Sequence, residues 1–201
     1  MQTDDAIPAG KPEIILKRVF DAPRELVFKV WTEPQYVEQW WGVEGCTIVG
    51  CDLDVRAGGI FRIDMKTDEG TVYVNRGFYI EVIVNKRIVY RDVRESADSP
   101  GPLPVGLHTT TFENLEGTTL VTLTSRFDTI VARDLVVKSG VIHGIRQSLS
   151  RLERLIGSLG TTTSLQQLIL TAKDSQMTQT LSSTSTKDDM AYPLHLLLWS
   201  C

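Results

Sequence analysis

The hydrophobic positions near the start of the chain predict a strand followed by two short helices. Ile14–Phe20 mixes β-branched and aliphatic residues with two basic ones, as half-buried strands do. Asp21 is placed to cap the next helix, in which apolar residues recur at helical spacing up to Trp31. Pro34–Trp41 then has the pattern of a second short helix. The segment therefore predicts a helical hairpin after the first strand.

The middle of the chain consists of short β-rich runs separated by turn residues. Their brief connections imply antiparallel neighbours in a meandering sheet. A longer connection, Ser96–Gly106, contains Ser-Pro-Gly-Pro-Leu-Pro and predicts a surface loop that could serve as a lid. The predicted strands are Thr47–Val55, Ile60–Lys66, Val72–Val84, Arg87–Arg94, Leu107–Glu113 and Thr118–Phe127.

One face of the predicted sheet is apolar and needs a cover. Between Ile60 and Met65, apolar residues alternate with Arg62 and Asp64, as they do in a strand that is buried on one side. One long helix from about Asp134 to Leu159 supplies the cover, because its apolar residues step by threes and fours. The pattern predicts an α+β fold with that helix packed on the sheet.

Composition and charge narrow the possible functions. The 201 residues are 42% hydrophobic and 23% charged, and the net charge of -4 gives no basic footprint for nucleic acid. No secretory signal and no apolar run of about 18 residues are visible, so we expect a cytoplasmic protein without a membrane span. We expect an N-terminal arm over 1–12, one domain over 13–160, and a Ser/Thr/Gln-rich tail with a short apolar end over 161–201.

The cysteines indicate neither a metal site nor a redox pair. Cys46, Cys51 and Cys201 lack CxxC spacing and neighbouring histidines. Free thiols are favoured, and a Cys46–Cys51 disulfide is the minor alternative, since their odd spacing in one strand would place them on opposite faces. We expect no metal and no cofactor.

Candidate catalytic residues are few, and none is assigned. The histidines are scattered without a nucleophile motif. His143 lies off the helical apolar stripe, which favours a surface position over one facing a cavity. Arg62 and Glu81 are polar positions in strands, where an ion pair or exposure to solvent is favoured over acid–base chemistry.

Several ordered motifs between Ile14 and Leu159 are similar to those of one family. They are Arg18–Phe28, Trp31–Pro34, Gln39–Gly42, Asp54–Arg62, Gly77–Val82 leading to Arg87–Tyr90, and Gly144–Leu155. In these segments the chain resembles the activator of heat-shock-protein-90 ATPase homologues, within the START-like superfamily. The resemblance implies a helix-grip fold, in which a curved antiparallel sheet wraps a long C-terminal helix and leaves a cavity between them. Val43 stands where the family usually has proline, which would loosen the loop, and Ile145 stands where tryptophan is common, which would enlarge the cavity.

The resemblance also implies binding rather than catalysis, with an apolar small molecule in the cavity and a link to the stress response. Trp31, Trp40 and Trp41 fall on the helical hairpin, where aromatic residues either line a pocket or fill the core. Two alternatives stay open: a cochaperone-like module that binds a chaperone or other protein, and an enzyme of the polyketide cyclase or hydrolase type. The cavity-lining candidates are Trp31, Trp40, Trp41, Phe61, Ile63, Met65, Tyr79, Tyr90, Val121, Leu123, Ile142, Ile145 and Leu149, and the polar candidates are Arg62, Glu81 and His143.

Overall fold

The structure is a computed structural model that describes residues 4–93 and 104–160. These residues form one eight-stranded antiparallel sheet and four helices. The elements are β1 Asp4–Ala6, β2 Glu13–Phe20, α1 Arg24–Thr32, α2 Pro34–Trp40, β3 Cys46–Leu53, β4 Ile60–Thr67, β5 Val72–Ile83, β6 Arg87–Asp92, β7 Leu107–Leu115, β8 Thr118–Arg126, α3 Ile130–Lys138 and α4, residues 141–160. The predicted α+β class and curved antiparallel sheet are confirmed.

The order of the strands follows from the short turns. The sheet runs β1-β2-β8-β7-β6-β5-β4-β3, so β3 to β8 form a meander and only β2 crosses over, to pair with β8. The strand β1, which lies in the predicted N-terminal arm, was missed by sequence reasoning because three residues carry too little periodicity. It pairs with β2, with Asp5 opposite Leu16. Most of the Ser96–Gly106 loop lies outside the described residues.

The helical hairpin is present, but its predicted cap is wrong. Pro23 occupies the N-cap position of α1, and no side chain caps that helix. Asp21 is exposed and does not cap it. The ring of Trp40 is 2% exposed, and its Nε1 donates to the carbonyl oxygen of Val30 at 3.0 Å, so this buried indole ties α2 to α1.

The predicted long C-terminal helix is two helices. Thr129 caps α3 by accepting a hydrogen bond from the Ala132 amide at 3.0 Å. The chain turns at Gly140, whose φ of 83° lies in the left-handed region that favours glycine. Apolar periodicity continues across this turn, and for that reason the sequence pattern alone suggested one helix.

A β-bulge in β3 changes which of its side chains face inward. In β3 the register shifts between Ile48 and Gly50, so Cys46 and Cys51 stand opposite Thr67 and Ile63, which share one face of β4. The prediction that these cysteines lie on opposite faces is therefore wrong, although both remain free thiols.

The core lies between the inner face of the sheet and helices α1, α2 and α4. The main cluster joins Phe20, Phe112 and Val121 of the sheet to Leu149 and Leu152 of α4, all at most 2% exposed. A smaller cluster around Ile14, Phe127 and Val136 seats α3. No helix among the described residues combines the length and apolar character needed to cross a membrane.

Candidate functional site

An aromatic cavity of about 50 Å³ lies between the helical hairpin and strands β3 to β6. Its walls are aromatic edges and faces: the rings of Phe61 and Tyr90 meet edge to face at 5.3 Å, and Phe61 lies 5.6 Å from Tyr79. The lining residues are Trp31, Val37, Trp41, Leu53, Phe61, Ile63, Tyr79, Ile88 and Tyr90.

Two tyrosines, Tyr79 and Tyr90, are among the residues that line this cavity. Burial is the main cause that raises the pKa of both the Tyr79 and the Tyr90 phenol well above the usual range, and the nearby carboxylates Asp54 and Asp92 respectively add to it. Both phenols are therefore neutral at physiological pH and keep their O–H protons. Neither hydroxyl hydrogen-bonds to another residue in the part of the chain that the structure describes. Neither oxygen is among the fully buried polar atoms that lack a partner, so water or a ligand can reach each hydroxyl.

The structure brings together six of the predicted cavity-lining residues and separates the rest. Trp31, Trp41, Phe61, Ile63, Tyr79 and Tyr90 line the aromatic cavity. Trp40, Val121 and Leu149 are fully buried in the main core cluster.

The remaining candidates lie elsewhere. Leu123 and Ile145 pack against both clusters, and Ile142 packs against the smaller one. Met65 sits beside Gly42, whose added Cβ would lie 3.0 Å from the Met65 sulfur. None of the residues that line the cavity belongs to α4.

The polar candidates Arg62 and Glu81 do not face this cavity. Arg62 is on the outer face and pairs with Asp64 at 2.9 Å. A bulge between Tyr79 and Glu81 changes the parity of β5, so Glu81 turns outward and pairs with Arg87 at 2.6 Å. Both pairs are exposed, and they stabilise the fold little.

His143 lies in a second, open cleft of about 530 Å³ between α4 and the α2–β3 connection. Arginines dominate its wall. Arg151 donates to the Gly42 carbonyl at 2.6 Å, Arg146 pairs with Asp5, and Arg154 is exposed. The lining residues are Val43, Glu44, Gly45, Cys46, His143, Arg146, Gln147, Ser150, Arg151 and Arg154.

A polar network on the inner face of the sheet was missed by sequence reasoning. Nδ1 of His108 lies 2.9 Å from Oγ of Ser125, and its Nε2 lies 2.6 Å from Oδ2 of Asp92. The imidazole stacks on Tyr90 at 4.8 Å between ring centroids. The three residues come from three strands, so strand register, which the sequence does not display, was needed to find them. Among the described residues, no group of three His, Cys, Asp or Glu side chains could hold a metal ion.

The fold and cavity define a START-like domain of the helix-grip kind. The chain belongs to the family described as Activator of Hsp90 ATPase homolog 1-like protein, whose family model matches residues 21–157. The expected resemblance is thereby confirmed. A search of curated proteins returned no match.

Solved structures agree with this assignment. A protein from Nitrosomonas europaea is 26% identical, with a TM-score of 0.68 over 77% of this chain and 99% of that one. A protein from Staphylococcus epidermidis is 27% identical, with a TM-score of 0.65 over 76% and 93%. An AHSA1-like protein from Aeromonas hydrophila, at 18% identity and a TM-score of 0.58 over 74% and 94%, shares the fold.

Proposed function

We propose that this chain is a binding protein that holds a small, mostly apolar ligand in its aromatic cavity and hydrogen-bonds an oxygen atom of that ligand. The observation that carries this proposal is the pair of cavity-lining phenols, the buried Tyr79 and the half-buried Tyr90, whose hydroxyls bond to no other described residue and are accessible to a small molecule. Buried polar groups are almost always hydrogen-bonded, to protein, water or ligand. A carbonyl or ether oxygen on an apolar ring would serve either phenol as an acceptor in place of water.

The size of the cavity sets the kind of ligand. Pockets for drug-sized molecules measure roughly 300–1,000 Å³, whereas this cavity measures about 50 Å³. A single ring therefore fits only if a lining side chain moves. Trp41 is the candidate for this movement, because it is half-buried and follows the last residue of α2, whereas Trp40 is locked in the core.

Calorimetric titration with benzaldehyde and with toluene tests the proposal. Both molecules present the same ring, but only benzaldehyde carries an oxygen acceptor. We expect benzaldehyde to bind more tightly, and Tyr90→Phe to weaken benzaldehyde by about 5- to 10-fold, the equivalent of one hydrogen bond of ~1 kcal/mol, without affecting toluene. Tyr73→Phe is the control, because Tyr73 is 41% exposed on β5 and outside the cavity. Equal affinity for both molecules, or no saturable binding, would contradict the proposal.

A second candidate function is binding of a protein partner through the open cleft. The observation in its favour is the row of Arg146, Arg151 and Arg154 on one side of α4: Arg154 is exposed, Arg146 pairs with Asp5, and the cleft lining itself has one acidic residue, Glu44. Guanidinium groups bind carboxylates bidentately, so the matching partner is an acidic segment of a protein such as a chaperone.

A fluorescent hexaglutamate peptide tests this candidate. Arg154→Gln should weaken peptide binding, and the loss should shrink as salt is added, because exposed charges are screened. Arg56→Gln is the control, since Arg56 is an exposed arginine that pairs with Asp54 outside the cleft. Equal affinity of the two variants would exclude the cleft as the peptide site.

A further inference from the structure

We propose that Ser125 is the nucleophile of an acyl-transfer site in which His108 is the base and Asp92 orients the base. This activity is distinct from ligand binding in the aromatic cavity and does not depend on it. The proposal rests on the geometry of the three side chains, on the fixed position of the imidazole, and on its partial exposure to solvent.

The register of the sheet places the three residues side by side. Asp92, His108 and Ser125 belong to the consecutive strands β6, β7 and β8, and His108 stands directly opposite Ser125. His108 shares its inward parity with the buried Thr110 and Phe112 of β7. A nucleophile within hydrogen-bond reach of a base, which is in turn held by a third group, is the general signature of an activated nucleophile.

The hydrogen bonds dictate the tautomer of the neutral imidazole. An ionised carboxylate only accepts hydrogen bonds, so Nε2, at 2.6 Å from Asp92, carries the proton. Nδ1 then presents a lone pair to the Ser125 hydroxyl at 2.9 Å. This tautomer is the one that accepts a proton from serine, although the two ring nitrogens exchange the roles they have in the proteases of the trypsin type.

Packing on several sides holds the imidazole in this orientation. Tyr90 stacks on one face at 4.8 Å and 20°, and Phe127 meets the ring edge to face at 6.4 Å. Gly106 closes over Nε2: a Cβ added there would lie 2.8 Å from that atom. The ring therefore cannot turn away from Ser125 without disturbing its neighbours, and a base held this way loses little entropy when it acts.

The network is also reachable. The side chain of His108 is 17% exposed and that of Asp92 is 38% exposed, and Ser125 is half-buried. Water competes for the hydrogen bonds of an exposed network, so a network that only stabilised the fold would be most effective when fully buried. All three members of this network are instead partly exposed, which gives a small substrate access to Ser125.

The reaction that this geometry supports is acyl transfer from a small activated ester. Oγ of Ser125 attacks the carbonyl carbon while its proton passes to Nδ1 of His108, and Asp92 stabilises the resulting imidazolium. The tetrahedral adduct expels the leaving alcohol, which takes the proton from His108 and leaves an acyl-serine. Water, deprotonated by the same nitrogen, then releases the acid and restores the serine.

Covalent labelling tests the nucleophile directly. The full chain is treated with a biotinylated alkyl fluorophosphonate, and the modified residue is located by peptide mass spectrometry. We expect modification at Ser125 and at least 100-fold slower labelling in Asp92→Asn, because loss of the orienting carboxylate disfavours the reactive tautomer. Asp92→Asn keeps the shape of the side chain, and a circular dichroism melt shows whether the fold is intact. His108→Gln should abolish labelling.

Two matched controls exclude incidental reactivity. His143→Gln removes an exposed histidine outside the network, and Ser148→Ala removes a serine whose hydroxyl donates to the Gly42 carbonyl instead of to a base. Neither change should alter labelling of Ser125. Absence of label on Ser125, or an Asp92→Asn variant that is folded and labels at the parent rate, would overturn the proposal and leave a structural network.

Discussion

The side chain of Val43 packs directly on the α-carbon of Gly144: a methyl group added to Gly144 would lie 2.5 Å from Cγ1 of Val43. This contact seats the α2–β3 connection on α4, close to where Arg151 donates to the carbonyl of Gly42. Ile145, the next residue of α4, packs instead against the two core clusters. Val43 is also one of the residues that line the open cleft.

The first prediction concerns this contact. Gly144→Ala should destabilise the protein, because overpacking against a stiff β-branched side chain costs ~1–3 kcal/mol and exceeds the ~1 kcal/mol by which alanine is favoured in a helix. Chemical denaturation of Gly144→Ala, Val43→Ala and the double variant measures the coupling, which we expect to be favourable. Gly157→Ala is the control: it is an exposed helical glycine with nothing within 4 Å of an added Cβ, so it should be neutral or stabilising. A stable Gly144→Ala variant would show that the two elements separate easily.

The second prediction contrasts two possible helix caps. Thr129→Ala should lower the free energy of unfolding by ~1 kcal/mol, because Thr129 accepts from an amide that α3 otherwise leaves unpaired. Asp21→Ala should change it by no more than ~0.5 kcal/mol, since Asp21 is exposed and does not cap α1. Urea denaturation of both variants makes the comparison, and equal effects would contradict the assignment of the caps.

Local patterns predicted much of the fold. Alternation in β4 and helical spacing in α1 and α4 depend on residues close together in sequence, and the structure has all three elements, although α4 begins at residue 141 and not near the predicted Asp134. Features that depend on one backbone angle or one extra residue were not predictable from periodicity. The left-handed turn at Gly140 split the long helix, and the bulge after Ile48 put Cys46 and Cys51 on one face.

The candidate site was less predictable than the fold, for a related reason. Aromatic residues were expected at a cavity, but their spacing in the sequence does not distinguish a residue that lines the cavity, such as Trp41, from one that is buried in the core, such as Trp40. The network of Asp92, His108 and Ser125 joins residues 16 and 17 positions apart through strand register. The three histidines are far apart in the sequence, and only the pairing of the strands brings His108 close to the Asp92 carboxylate and the Ser125 hydroxyl.

The third prediction is a pH dependence. Burial, aided by Glu38 and Asp52, raises the pKa of the Cys51 thiol to about 11, from an ordinary value of 9.0. The thiolate is the reactive form, so alkylation of Cys51 in the folded protein should be slow at pH 8 and rise toward a midpoint near pH 11. Peptide mass spectrometry after timed iodoacetamide treatment follows this residue separately from the other cysteines.

The same shift contributes to stability with a definite sign. The folded protein holds the thiol proton more tightly than the unfolded chain, so this stabilisation is fully present below pH 9 and is lost as pH rises toward 11. Cys51→Ala should therefore show a shallower alkaline loss of stability than the parent protein. Rapid alkylation of Cys51 at pH 8 in the folded state would contradict its buried environment.

The central claim is that a small oxygen-bearing ligand occupies the aromatic cavity, and an amide-resolved NMR titration with benzaldehyde tests it most directly. Chemical shift changes should saturate and concentrate at the lining residues of β4, β5 and β6, above all Phe61, Tyr79 and Tyr90. Changes confined to the cleft around 143–154, or changes that grow linearly without saturation, would contradict the claim.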